Sequence, residues 1–268
     1  MTAAAPAPVR VVVTRPEREA LRWAADLSAR GLAPVVLPLI VIAPAADSGP
    51  VRQAWADLTG CQAAMFVSSN AVEHFFASNV PDVRFQWSSN AIKTRAWATG
   101  PGTRDALRQA GLPAATIDAP GPDATQFDSE ALWRLVAPGV NPGQPVLIVR
   151  GSDAHGRSAG RDWLAQQLDA VGVASRFVVA YERRPPVFSA AQRAAAAQAA
   201  SDGSVWLFSS SEAVANLRDA LPGQRWDAAR AVATHPRIAQ AAREAGFGTV
   251  QESRPNLDDV IPSIESVG

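Results

Sequence analysis

The sequence predicts an α/β protein made of two similar parallel-sheet domains with a ligand cleft between them. Three observations predict it. Short apolar runs alternate with alanine-rich helical stretches, the pattern of a parallel sheet covered on both faces. Four segments occur twice in the same order, as expected of a duplicated unit. The chain has 268 residues, 47% of them apolar, which is enough to fill two cores of ordinary domain size.

In the first copy Val11-Val12-Val13-Thr14-Arg15 is followed by Trp23 and Gly31, and in the second Leu147-Ile148-Val149-Arg150 is followed by Trp163 and Gly172. Each reads strand, helix, turn. Phe66-Val67-Ser68-Ser69-Asn70-Ala71-Val72 is answered by Phe208-Ser209-Ser210-Ser211-Glu212-Ala213-Val214. Ala98-Thr99-Gly100-Pro101, with Arg108 and Gly111 behind it, is answered by Ala233-Thr234-His235-Pro236, with Arg243 and Gly246. The weakest pair sets Pro122-Asp123 through Leu132 against Pro255-Asn256 through Ile261.

The first strand ends at Thr14. Pro16 opens a helix with Glu17 and Glu19 in its first turn, and Arg30 and Gly31 close it, so the charges oppose the helix dipole and the glycine supplies a C-terminal turn. The next strand is 35–37. Further strands are predicted at 63–67, 92–99, 115–118, 145–149, 175–181, 204–208, 229–233 and 248–251, with helices after nearly every one, including an alanine-rich helix at 189–200. The connectivity has two solutions. With contiguous domains the boundary is the breaker-rich loop 137–143; if the first strand-helix-strand unit pairs with the last three, the chain crosses at 38–44 and 181–186, both flanked by prolines.

Charge and cysteine content exclude several functions. Lys and Arg number 25 against 25 Asp and Glu, which argues against nucleic acid as a partner, since phosphate contacts leave a basic excess. The lone Cys61 forms no disulfide framework, and His74, His155 and His235 are too scattered for a metal centre. Residues 1–8 lack a signal-peptide pattern and no stretch is apolar enough to span a bilayer, so a cytoplasmic location is expected.

The ordered set Thr14-Arg15-Pro16, Phe66 to Val72, Gly100-Pro101-Gly102-Thr103, Val146 to Gly151, Val178 to Arg183, Phe208 to Ser211 and His235-Pro236-Arg237-Ile238 resembles the bacterial uroporphyrinogen-III synthase family. The resemblance runs from about Val9 to the end of the chain. It implies two flavodoxin- or Rossmann-like domains joined by a two-strand linker, with 1–41 plus 185–268 in one, 45–180 in the other, and 42–44 and 181–184 as linkers. It also implies a monomeric, cofactor-free lyase of haem biosynthesis. Its substrate is hydroxymethylbilane, which it closes to uroporphyrinogen III with inversion of the last pyrrole ring.

The residues suit such a polycarboxylate. Ser68, Ser69 and Asn70, and Ser209, Ser210 and Ser211, lie between a strand end and a helix start, where free backbone N–H groups and the helix dipole favour anions. Pro101 to Thr103 and Pro236 to Ile238 repeat that geometry one strand further on. The competing reading is that the serines, and Thr103, only cap helices. Arg15 and Arg150 follow matching strands; each can fork onto a carboxylate or pair with a neighbouring acid such as Glu17 or Asp153. Arg237 carries a positive charge at a helix start, a conflict that a bound anion would relieve. His235 adjoins the same start and is expected to be neutral, whereas His155 is expected to be a solvated loop residue.

Tyr181 is the only tyrosine. Read from the residues alone it is an aromatic packed between domains. The resemblance makes it instead the acid that helps hydroxide leave the terminal hydroxymethyl group, a task that suits a phenol protonated at neutral pH and exposed in a cleft. Two other classes compete. One is a two-domain α/β ligand-binding protein, which lacks an export signal here, or an inactive family member serving as a binding module. The other is a nucleotide-dependent transferase, whose phosphate loop is missing because Gly100-Pro101-Gly102-Thr103 has no third glycine.

Overall fold

The computed structural model describes residues 7–78, 86–89, 91–121, 124, 126–153, 156 and 163–268. Pro122, Asp123 and His155 lie outside them. The strands are β1 (Arg10–Val13), β2 (Ala33–Val36), β3 (Val41–Pro44), β4 (Ala63–Phe66), β5 (Arg95–Ala98), β6 (Ile117–Asp118), β7 (Val146–Ser152), β8 (Ser175–Arg184), β9 (Val205–Phe208), β10 (Arg230–Ala233) and β11 (Thr249–Glu252). The helices are α1 (Glu17–Ala29), α2 (Gly49–Ala56), α3 (Ser69–Ala77), α4 (Pro101–Gln109), α5 (Ser129–Val136), α6 (Trp163–Ala170), α7 (Ala190–Ala199), α8 (Ser211–Ala220), α9 (Pro236–Glu244) and α10 (Leu257–Val267).

The chain divides into two units, one of Met1–Val41 with Arg184–Gly268, the other of Ile42–Arg183. The first unit holds a five-stranded sheet in the order β11-β10-β9-β1-β2, parallel throughout. The second holds a six-stranded sheet, β3-β8-β7-β4-β5-β6, of which β8 to β6 are parallel. Counting each unit from β1 or from β7, both sheets have the order 2-1-3-4-5, so the second unit is a circular permutation of the first with β3 added at its edge. The two linker strands expected at 42–44 and 181–184 lie in β3 and β8 of the second sheet, where Ala45 N–H donates to Ala180 O at 3.3 Å.

Alternation fills both faces of each sheet. In the second unit Ala64, Phe66, Ala96, Ala98, Leu147 and Val149 face α2, α3 and α4, while Ala63, Met65, Trp97, Val146 and Ile148 face α5 and α6. In the first, Val11, Val13, Val205, Leu207 and Val232 pack on α1 and α10. The repeated glycines have a common cause: Gly31, Gly172, Gly111 and Gly246 all adopt positive φ, between 75° and 100°. Each follows a helix, and the next residue's N–H reaches back to close the last turn, as in Leu32 to Leu27 O at 3.1 Å and Val173 to Leu168 O at 2.9 Å. Among the described residues no helix is long and apolar enough to cross a membrane.

Candidate functional site

In a sheet of order 2-1-3-4-5 the connections diverge between the first and third strands, and the carboxyl ends of those strands border a crevice. In the second unit these strands are β7 and β4, and there the structure assembles Ser68, Tyr181, Gly151 and His74. Ser68 is the N-cap of α3: its Oγ accepts the Ala71 N–H at 3.2 Å and lies 3.2 Å from the Tyr181 hydroxyl. The His74 ring stacks on Tyr181 with centroids 5.9 Å apart and planes at 26°.

Tyr181 owes its direction to a β-bulge. Val149 pairs with Val178 and Arg150 with Val179, but Gly151 pairs with Tyr181, so the register slips by one residue. Strict alternation would turn Tyr181 away from the face taken by Val178 and Ala180; the slip puts all three in the same core. Gly151 makes the room. A Cβ there would stand 2.4 Å from Tyr181 Cζ, well inside contact distance. Gly151 and His74 were missed in the sequence. A glycine inside the strand pattern 146–151 is the signal that could have found the first.

This arrangement corrects the expectation of an exposed phenol, because Tyr181 is only 5% exposed and its hydroxyl is hydrogen-bonded. Arg150 alternates with Val146 and Ile148, so it lies on the opposite face of the sheet from Tyr181, with its guanidinium 3.9 Å above the Phe177 ring. The second helix start of this unit, that of α4, has Gly100 as its N-cap and no side-chain cap. Thr103 is therefore not the cap; it is a buried residue of the first turn.

The corresponding ends in the first unit are those of β1 and β9. Val11 lies opposite Val205 and Val146 opposite Ala63, which makes Arg15 the counterpart of Arg150. The Arg15 guanidinium sits 4.2 Å over Trp23 and 3.4 Å from Glu19, not Glu17. Its Nε is buried with no hydrogen-bond partner among the described residues, and burial pushes its pKa down, with Glu19 opposing. Ser210 caps α8 through the Glu212 N–H at 3.2 Å, with Ser209 before it and Ser211 in the first turn. His235 caps α9: its Nδ1 accepts the Arg237 N–H at 3.1 Å, which leaves Nε2 as the ring's donor. Pro236 and the Arg237 side chain are exposed at that start.

The fold is shared with known proteins. The family model described as uroporphyrinogen-III synthase HemD matches residues 22–261. The chain belongs to the uroporphyrinogen-III synthase family. A uroporphyrinogen-III synthase from Chlorobaculum parvum is 30% identical over 185 residues, 68% of this chain and 67% of that one. The fold is shared with the uroporphyrinogen-III synthetase of Helicobacter pylori, at a TM-score of 0.60 and 15% identity over 97% of this chain and 100% of that one. A mutant uroporphyrinogen III synthase of the extremely thermophilic bacterium Thermus thermophilus gives a TM-score of 0.53 at 15% identity over 96% of each chain.

Uroporphyrinogen-III synthases are cofactor-independent cyclising lyases acting on a small tetrapyrrole. Of the residues expected to hold it, Ser68, Ser210 and His235 already have a local occupation as caps, which the competing reading anticipated for the two serines. Ser69, Asn70, Ser209 and Ser211 are half-buried beside those caps.

His74 supports a prediction about pH. Burial pushes its imidazole below the usual histidine range. On acidification the unfolded chain, titrating near ~6.5, binds the proton before the folded one does. Stability linked to His74 is therefore whole above that pH and is lost as pH falls from it toward the lowered folded value. Denaturant titrations should show the parent losing more stability than His74→Gln in that window; parallel profiles would refute the linkage.

Proposed function

We propose that this chain closes hydroxymethylbilane to uroporphyrinogen III, inverting the last pyrrole ring through a spiro intermediate, with Tyr181 as the acid. The observation that carries the reading to a residue is the phenol held at the carboxyl end of the second unit's sheet, 3.2 Å from the Ser68 hydroxyl. Family membership supports the reaction class.

Protonation of the terminal hydroxyl lets water leave and creates an azafulvene. The substituted carbon of the last ring attacks it, and the spiro product fragments and recloses with that ring reversed. The pyrrole nitrogens supply the electronic push, so the protein's larger task is to hold one folded conformer and exclude closure at the unsubstituted carbon. The acetate and propionate carboxylates are bound at the starts of α3, α4, α8 and α9, where Ser69, Asn70, Ser209, Ser211 and the uncapped amides after Gly100 are available, and by Arg15 and Arg237. Arg150, packed on Phe177, is the weakest of the expected ligands.

Incubation with enzymatically generated hydroxymethylbilane, followed by oxidation and separation of isomers, tests this directly. The type III isomer should form without added metal, nucleotide or redox cofactor. Type I product alone, at the spontaneous rate, would sink the proposal.

A further inference from the structure

We propose that Ser68 and Gly151 are positioning residues that keep the Tyr181 proton free for the substrate and hold the tyrosinate that remains. The inference rests on the assignment of Tyr181 as the acid.

A phenol that spends its proton on a neighbour is a poor donor, so the direction of the Ser68–Tyr181 hydrogen bond matters. The 3.2 Å contact between the two oxygens permits either direction. The Ala71 N–H decides it. Ser68 Oγ already accepts that amide at 3.2 Å, and a hydroxyl that accepts one hydrogen bond becomes a stronger donor and a weaker second acceptor. The amide belongs to the first turn of α3, whose positive end also favours negative charge. Ser68 therefore donates to Tyr181 Oη, and the phenolic proton points elsewhere.

The ring is fixed independently. Gly151 leaves no gap, since a Cβ would lie 2.4, 2.6 and 2.8 Å from Cζ, Cε2 and Cε1. His74 covers a ring face. Rotation of the phenol thus meets the β7 backbone on one side and an imidazole on another, and a hydroxyl can move little without breaking its bond to Ser68.

The step balances as follows. The Tyr181 proton passes to the hydroxymethyl oxygen, the carbon–oxygen bond breaks with its electron pair on that oxygen, and water leaves while the pyrrole nitrogen lone pair fills the carbon's vacancy. The chain Ala71 N–H to Ser68 O–H to Tyr181 O⁻ holds the charge. Rearomatisation after ring closure releases one proton, which returns to Tyr181.

Because Tyr181 is the only tyrosine, ring-labelled ¹³C-tyrosine gives a single Cζ resonance whose chemical shift reports the hydrogen bonding of this phenol alone. Single-turnover rates are compared for the parent, Ser68→Ala, Ser68→Thr, Tyr181→Phe and Ser68→Ala with Tyr181→Phe, and the Cζ shift for the first three, all at equal folded fraction. Ser68→Ala should slow turnover ~10- to 100-fold, the worth of a hydrogen bond to a charged group, and move the Cζ resonance. Ser68→Thr should restore both. In the phenylalanine background Ser68→Ala should slow turnover no further. Gly151→Ala should shift the Cζ resonance and slow turnover; if it does not fold, the Ser68 cycle still decides. Additive losses in the double variant, or an unmoved Cζ resonance in Ser68→Ala, overturn the positioning role while leaving Tyr181 as the acid. Parent-rate turnover in Tyr181→Phe removes the acid assignment and this inference with it.

Discussion

Tyr181→Phe will slow formation of the type III isomer ~10- to 1000-fold while product affinity changes much less, the signature of an interaction made mainly in the transition state. The ring is retained, so its contacts with Gly151 and His74 survive. The hydroxyl is not without structural cost. It is hydrogen-bonded to Ser68 inside the core of the second unit, and its removal should cost about 1 kcal/mol of stability. Rates must therefore be compared at equal folded fraction. Turnover equal to the parent's would return Tyr181 to a packing role and leave the reaction to carboxylate positioning at the helix starts.

The largest effect on stability is expected from Trp55→Ala. Trp55 in α2 is fully buried, stacks on Phe75 at 4.5 Å between centroids, and meets Phe76 and Trp87 edge-on. Its indole N–H donates to Phe75 O at 2.9 Å, a carbonyl in the last turn of α3, where backbone acceptors lack helical partners. Truncation removes the ring and leaves that carbonyl buried, at a cost of ~3 to 5 kcal/mol. Cys61 reports the loss. Its thiol belongs to the same core, and burial pushes its pKa up, so it reacts only when the unit opens. Labelling governed by the opening equilibrium should accelerate ~100-fold or more, since each 1.4 kcal/mol is tenfold. Trp55→Phe, losing chiefly the hydrogen bond, should fall well short of that. Equal labelling of parent and Trp55→Ala would show that the cavity collapses at little cost.

Part of the site was legible in the sequence and part was not. Ser68, Ser210 and His235 were recognisable as helix-start residues because a cap is a local event: a polar side chain reaches an amide two or three residues ahead. For Thr103 the capping alternative falls away because the breaker pair Gly100-Pro101 starts α4 with glycine as the cap, and glycine offers no side chain to announce it. Glu17 was one acid that Arg15 could have paired with, but the acid within reach is Glu19, four residues on in the first turn of α1.

By itself the sequence determined the two α/β units, most of their strands and the glycine-closed helix ends, because alternation, capping and left-handed turns depend on neighbours a few residues away. Tertiary structure alone decided the rest. The order of strands depends on which β-strands accept one another's backbone groups, and β3, four residues at a sheet edge, has no pattern of its own to declare that it pairs. The slip between Arg150 and Gly151 sends Tyr181 into the core, on the opposite face of the sheet from Arg150. Ser68 and Tyr181 stand 113 positions apart, and no periodicity in a chain encodes a contact that forms only when β4, β7 and β8 lie side by side.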